Sequence, residues 1–149
     1  MTYSVWHNVD EGIIEAWFKG DLNIKTARDF MREIIDRIAQ EKCFLLLTDM
    51  SEASFVLSVV DIFSLLKFME ELGSHLKLNM RVVRRAVITK QPDVLAFYET
   101  VFYNRGYQMA IFSDPAKART WLREGKRMNH KVQGNAAPYT AHSDTSQAD

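Results

Sequence analysis

The sequence predicts a single α/β domain with a mixed, mostly parallel sheet and an N-terminal β-hairpin, in the order ββαβαβαβα. One observation is the unbroken apolar run at residues 43–47, which is typical of a strand buried on both faces by helices. A second is the alternation of short apolar strands with segments of helical periodicity, which favours parallel strands joined by right-handed crossovers. With 149 residues, 47% of them apolar, the chain can build one full core.

The N-terminal segment is predicted to form a β-hairpin followed by a helix. Residues 3–8 and 12–18 are rich in β-branched and aromatic side chains, and Gly12 can adopt a positive φ in the turn. Apolar residues then recur at helical spacing, and Asn23 or Asp21 can cap the helix that they indicate. These apolar positions are Ala27, Met31, Ile34, Ile35 and Ile38.

The central strand is expected to end where its apolar run meets Thr48 and Asp49. Because α/β proteins usually place their sites at the carboxyl ends of parallel strands, Asp49 marks the predicted functional edge. A paired-carboxylate site with Asp61 is disfavoured because a loop and a capping turn separate the two residues. The favoured role of Asp49 is to bind backbone amides in the loop that leads to Ser58.

A second helix is predicted from about residue 58 to residue 74. Ser58 can cap it, and Asp61 can complete a capping-box arrangement. The helix is more apolar than a surface helix requires, so it either packs deep against the sheet or offers an apolar edge to a partner or ligand. The predicted contact surface of this helix and its preceding loop comprises Asp49, Ser51, Ser58, Asp61, Phe63, Leu65, Phe68 and Met69.

Two further strand–helix units are predicted in the second half of the chain. Residues 84–89 form a short strand, after which Pro92 fits the first turn of a third helix and Gly106 ends it. Residues 107–112 form the last strand, and Asp114 can cap the last helix.

The domain is predicted to occupy residues 1–125, followed by a flexible or disordered tail at 126–149. Residues 133–149 contain Gly, Asn, Pro, Ser and Thr with almost no large aliphatic side chains. Such a segment cannot offset its ordering entropy by burying apolar surface.

Arg81, Arg84 and Arg85 form a candidate anion-contact cluster that could meet an anionic headgroup or an acidic partner. The alternative is a solvated entry to the strand that follows. Near them lies an aromatic set of which at least Phe97 or Tyr103 should point away from the sheet. The set forms either core packing, which is favoured, or an aromatic wall for an apolar ligand or dimer contact. Its members are Phe97, Tyr98, Phe102, Tyr103 and Tyr107.

Composition and spacing exclude several classes of function. Nineteen basic residues balance nineteen acidic ones, so no overall field attracts nucleic acid. The lone Cys43 rules out an internal disulfide, and the histidine spacing and scattered glycines indicate neither a metal site nor a phosphate loop. We expect no secretion signal, because residues 1–12 lack a basic region followed by an apolar one, and no apolar run approaches the roughly 20 residues that span a bilayer. We therefore expect a cytoplasmic protein without a cofactor or membrane span.

Several segments resemble the SpoIIAA-like (STAS-like) family of bacterial cytoplasmic proteins, within the grouping that includes CRAL-TRIO lipid-binding domains. They are GIIEAWFKGDL, FLLLTDMSEAS, SVVDIFSLLKFM, RRAVITK and AIFSDPAKARTWL, which together span about residues 3–122. The resemblance implies a STAS fold and a non-enzymatic regulatory role.

Ser58 matches the position of the phosphorylated serine that anti-sigma factor antagonists of this fold carry in an Asp-Ser-Ser-Gly-like turn. Leu57 replaces the acidic neighbour of that serine, and Val59 and Val60 replace the Ser-Gly pair. A role as helix cap is therefore favoured for Ser58 over a role as phosphosite.

Two functional hypotheses follow. The first is a non-enzymatic interaction module that engages a protein partner, or a second copy in a homodimer, through the second helix. The alternative is a carrier or sensor of an apolar small molecule or lipid, held between the second and third helices with the arginines near its headgroup. An enzyme is disfavoured because no set of titratable groups converges.

Overall fold

The computed structural model of the protein describes residues 2–131 and has a five-stranded sheet at its centre. The strands lie across the sheet in chain order, with β1 antiparallel to β2 and the other neighbouring pairs parallel. This confirms the mixed α/β class with an N-terminal hairpin. The strands are β1 (Thr2–Asn8), β2 (Ile13–Leu22), β3 (Leu45–Phe55), β4 (Arg84–Ile88) and β5 (Gln108–Phe112).

Within the described residues, four α-helices cover the two faces of the sheet. The first three pack on one face over a large core, and the fourth packs on the other over a smaller one. A short 3₁₀ turn, Met80–Val82, precedes β4. The helices are α1 (Ile24–Glu41), α2 (Val59–His75), α3 (Pro92–Asn104) and α4 (Pro115–Lys131).

Helix α4 runs six residues beyond Gly125, where the sequence predicted the end of the domain. The rest of the predicted tail, residues 132–149, lies outside the described residues.

The amino ends of α1 and α2 are closed by side-chain caps. Asn23, one of the two predicted candidates, caps α1 by accepting a hydrogen bond from the Thr26 backbone N–H at 2.9 Å. At α2 the Ser58 Oγ accepts from the Asp61 backbone N–H at 3.1 Å, and the Asp61 carboxylate accepts from the Ser58 N–H at 3.0 Å. The predicted capping box is confirmed, and its reciprocal bonds satisfy donors that a helix start leaves free.

Strand β3 does not end at Asp49, as the sequence predicted, but continues to Phe55. It continues because β2 also extends, and residues 19–22 of β2 pair with residues 52–55 of β3. The other neighbour of β3, β4, stops at this level, where Ile88 pairs with Asp49. The polar residues that suggested a strand end mark the point where β3 loses one of its two neighbours.

Asp49 sits at a β-bulge inside β3. Trp17 pairs with Asp49, but the next pair is Lys19 with Glu52, so β3 contains one more residue than β2 across this step. Asp49 Oδ1 accepts hydrogen bonds from the Ser51 backbone N–H at 3.0 Å and from Ser51 Oγ at 2.6 Å. Asp49 therefore orders a bulge within the strand, and not the loop that leads to Ser58.

Candidate functional site

A cavity of about 120 Å³ lies between the sheet and helices α1, α2 and α3. An engineered apolar cavity of roughly 150 Å³ holds one benzene molecule, so this space suits a single ring or a short chain. The wall is apolar except for Thr48, Arg85 and the Tyr98 side chain. Its principal apolar residues are Phe30, Ile34, Leu46, Met50, Leu65, Met69, Val87, Leu95, Phe102 and Met109.

Arg85 is the one charged residue in the wall of this cavity. Its residue surface is only 6% exposed, and its Nη1 has no hydrogen-bond partner among the described residues. The guanidinium carbon lies 5.2 Å from the centre of the Phe102 ring and 5.7 Å from that of Tyr107. No carboxylate in residues 2–125 forms an ion pair with it. In residues 2–125, the rings of Phe102 and Tyr107 are therefore what offsets the buried charge of Arg85.

The cavity carries a net positive charge at neutral pH. Burial lowers the pKa of Arg85 to about 10, which leaves its guanidinium protonated at pH 7. Burial raises the pKa of Tyr98 to about 12. Burial, together with a hydrogen bond to Glu70, also raises the pKa of Tyr107 to about 12. Both phenols are neutral, so neither supplies the negative charge that Arg85 lacks.

Arg81, Arg84 and Arg85 do not form the cluster that the sequence predicted. Arg84 and Arg85 are buried on opposite faces of the sheet because successive strand residues point in opposite directions. Arg81 is exposed, and its Nε donates to the Arg105 carbonyl oxygen at 2.9 Å. The alternative of a solvated strand entry is also wrong for Arg84 and Arg85. Arg85 alone reaches the cavity.

Arg84 lies beneath α4, where its guanidinium contacts Trp121. Its Nε and Nη2 donate to the Trp121 carbonyl oxygen at 3.2 and 3.0 Å, and its guanidinium carbon lies 3.6 Å from the centre of a Trp121 ring. Gly125 makes room for it, since a Cβ at that position would lie 1.8 Å from the Arg84 Cδ. Arg84 therefore has a structural role in holding α4 to the sheet.

The predicted contact residues of α2 divide between the cavity and the outer surface. Leu65 and Met69 are buried and line the cavity, so they cannot belong to an external partner surface. They are buried because they lie on the helix face that meets the sheet. Phe63 is exposed, and Phe68 is half-buried beneath the Arg32 guanidinium. The remaining four, Asp49, Ser51, Ser58 and Asp61, are engaged in the bulge and the helix cap.

An apolar patch lies on the outer surface where α2 and α3 approach each other. Phe63 and Phe97 meet edge to face with ring centres 6.3 Å apart, although each is 42% exposed. The sequence predicted that at least Phe97 or Tyr103 points away from the sheet, and Phe97 does. We call this surface the outer patch and define it by Val59, Val60, Phe63, Val94 and Phe97, all of which are exposed.

The predicted aromatic set contributes to both regions. Tyr98 and Phe102 line the cavity, Tyr107 is buried beside them, and Phe97 belongs to the outer patch. The set therefore contributes both to the packed core and to the wall of the cavity. The sequence signal was an excess of aromatic residues over what one helical stripe can bury.

Two solved structures share the architecture that places these regions. One is an anti-sigma factor antagonist from Mycobacterium paratuberculosis, with 16% identity, a TM-score of 0.54, and coverage of 82% of this chain and 95% of that one. The other is an uncharacterised Shewanella loihica PV-4 protein with a SpoIIAA-like fold, with 18% identity, a TM-score of 0.54, and coverage of 81% and 92%. The chain has a STAS/SpoIIAA-like fold.

At sequence identities of 16% and 18%, the similarity of this chain to the two structures establishes its fold and no further property. No protein-family model and no curated protein matches the chain. Within the described part of the chain, no helix combines the length and apolarity needed to cross a bilayer. The same residues contain no group of three or more His, Cys, Asp and Glu side chains placed to hold a metal ion.

Proposed function

We propose that this chain is a non-enzymatic STAS-like interaction module that engages a protein through the outer patch. The occupant is a partner protein or a second copy of the chain. The Mycobacterium paratuberculosis protein of the same fold is, by its name, an antagonist of an anti-sigma factor, which supports a role in regulation by binding. The single cysteine and the resemblance to cytoplasmic proteins support a cytoplasmic location.

The contact between Phe63 and Phe97 carries this proposal. It joins the exposed apolar residues of two helices into one surface, and Val59, Val60 and Val94 extend it. Contiguous apolar surface is typical of interaction sites, whereas single exposed apolar residues are common everywhere. Covering it with a partner would remove apolar area from water, which is the main favourable term in most protein association.

The cap at Ser58 supports this surface locally. Its two hydrogen bonds with Asp61 order the first turn of α2, and that turn presents Val59 and Val60 to solvent. In this proposal Ser58 and Asp61 hold the patch in place and do not touch the partner through their capping atoms.

The test is a Phe63→Asp variant with Val9→Asp as the matched control. Val9 is also exposed, at 73%, but lies in the hairpin turn outside the patch. Sedimentation and native mass spectrometry of the wild type report a dimer if the occupant is a second copy. A photo-crosslinking residue at Val60, used in the native host, reports a partner protein otherwise.

Phe63→Asp should weaken the observed association by about thirtyfold or more, as truncation of a hot-spot residue does. Val9→Asp should leave that association unchanged. The proposal fails if folded Phe63→Asp keeps the assembly and the crosslinked partners of the wild type.

A second candidate function is the binding of an apolar small molecule in the cavity. The observation that favours it is the apolar space of about 120 Å³ walled by α1, α2, α3 and the sheet. Leu65 and Tyr98 in its wall belong to the second and third helices, which supports the predicted placement of a ligand there, and α1 and the sheet form the rest of the wall. The cavity and the outer patch share no residue, so the chain can use both.

A further inference from the structure

Arg85 is poorly matched to its surroundings. A buried charge is destabilising unless an opposite charge or hydrogen bonds compensate it, and the Nη1 of Arg85 has neither among the described residues. The contacts with Phe102 and Tyr107 are long ones, with the guanidinium carbon more than 5 Å from either ring centre. Among the described residues, the charge of Arg85 is thus offset only by two long ring contacts at the wall of an apolar space.

The adjacent residue shows how this fold accommodates an arginine whose role is structural. Arg84 is equally buried, donates twice to the Trp121 carbonyl oxygen and stacks on the Trp121 ring. Nothing comparable is available to Nη1 of Arg85 from the described residues. Burial by itself therefore does not explain why Arg85 lacks a partner.

The chemistry of the cavity selects among classes of ligand. A cation would be repelled by Arg85, and a neutral apolar molecule would leave Nη1 unpaired. A phosphate dianion would need several donors, whereas the only other polar side chains of the wall are Thr48 and Tyr98. A carboxylate carries one charge and fits the planar fork of a single guanidinium.

We propose that the cavity binds an apolar monocarboxylate whose carboxylate group pairs with Arg85. This inference rests on the second candidate function and specifies its ligand class. The apolar body lies against Leu65, Met69 and Leu95, opposite the sheet. The volume suits a body of about the size of a benzene ring or a short acyl chain. Arg85 is then the specificity-determining residue, because it selects the acid over a neutral molecule of the same shape.

The experiment is calorimetric titration of the full chain with benzoate and with benzyl alcohol at matched ionic strength. The two probes share the ring and differ in charge. Benzoate should bind roughly ten- to hundredfold more tightly, the ratio that a charge-assisted hydrogen bond provides. In Arg85→Met this preference should disappear. Arg85→Lys should keep part of it, and Arg81→Met should keep all of it because Arg81 lies outside the cavity.

The outcomes separate the inference from the function on which it rests. If both probes bind wild type equally well, the cavity is a ligand site but Arg85 does not select an acid. If neither binds, both the ligand site and the inference are wrong. Retention of the benzoate preference in folded Arg85→Met would also overturn the inference.

A second comparison, of hexanoate with dodecanoate, distinguishes a short acid from a fatty-acyl chain. We expect hexanoate to bind at least as tightly, because the cavity cannot contain the longer chain. Markedly tighter binding of dodecanoate would overturn the size that we assign to the ligand.

Discussion

The two faces of the sheet differ in how far neighbouring groups compensate a buried charge. Arg84 and Arg85 are neighbours on β4 and are both 6% exposed, yet Arg84 has two hydrogen bonds and a stacked ring while Arg85 Nη1 has no hydrogen bond. The two residues share their type, strand and exposed fraction, so none of these accounts for the difference. It arises from what covers each face, which is a close-packed helix over Arg84 and a cavity over Arg85.

A second buried charge on the α4 face, that of Glu15, is compensated by hydrogen bonds as that of Arg84 is. Arg119 in α4 donates to both carboxylate oxygens of Glu15, at 2.8 and 3.0 Å, and Asn8 donates to one of them at 2.7 Å. Glu15 and Arg84, the buried charged residues described on this face, are thus compensated within the fold. This contrast is the basis of our proposal that charge serves stability beneath α4 and ligand recognition beneath the other three helices.

The largest effect should come from Arg84→Met. It removes two hydrogen bonds and the ring contact, and it leaves the buried Trp121 carbonyl oxygen without these donors. We expect the free energy of unfolding in urea to fall by about 2–4 kcal/mol. A loss below about 0.5 kcal/mol would mean that the Arg84 contacts do not stabilise the fold. Arg84 would then not differ from Arg85 in its contribution to stability.

A smaller, pH-dependent effect should come from Glu15→Gln. Burial would raise the pKa of Glu15, but hydrogen bonds from Arg119 and Asn8 outweigh it and hold that pKa below its ordinary value of 4.5. A lowered folded-state pKa means that the stabilisation is present above the unfolded-state pKa and is lost as pH falls through the folded-state pKa. The variant should lose about 1–3 kcal/mol of unfolding free energy at pH 7.

Urea unfolding of wild type and Glu15→Gln between neutral and acidic pH checks the sign. The gap between the two proteins should narrow as pH falls below about 4. Exposed Glu52→Gln is the matched control, since its carboxylate accepts one surface hydrogen bond, from Trp17. A gap that is constant over this range would show that the charge of Glu15 is not what stabilises the fold.

Much of the fold was accessible from the sequence because local patterns specified it. Three such patterns act through neighbours in the chain. They are the apolar run at 43–47, of which β3 contains residues 45–47, the capping pair Ser58 and Asp61, and the helical spacing in α1. The extension of β3 past Asp49 was not accessible. It depends on pairing with residues 19–22 of β2, which are distant in sequence.

Only the general location of the candidate site could be predicted from the sequence. The apolar excess of α2 and the aromatic excess of α3 both suggested a ligand between these helices. The sequence placed Arg84 and Arg85 with Arg81 in an anion-contact cluster or, alternatively, at a solvated strand entry, because arginine is rarely fully buried. Strand alternation could have separated their directions, but only the packed helices show that Arg84 meets Trp121 while Arg85 meets a cavity.

The most direct test of the central contrast is the unfolding free energy of Arg85→Met beside that of Arg84→Met, measured in urea without any ligand. Methionine keeps a similar apolar length and removes the uncompensated charge, so Arg85→Met should be as stable as wild type within about 0.5 kcal/mol, or more stable. Arg84→Met should lose about 2–4 kcal/mol under the same conditions. Equal losses in the two variants would contradict the account, because Arg85 would then be as structural as its neighbour.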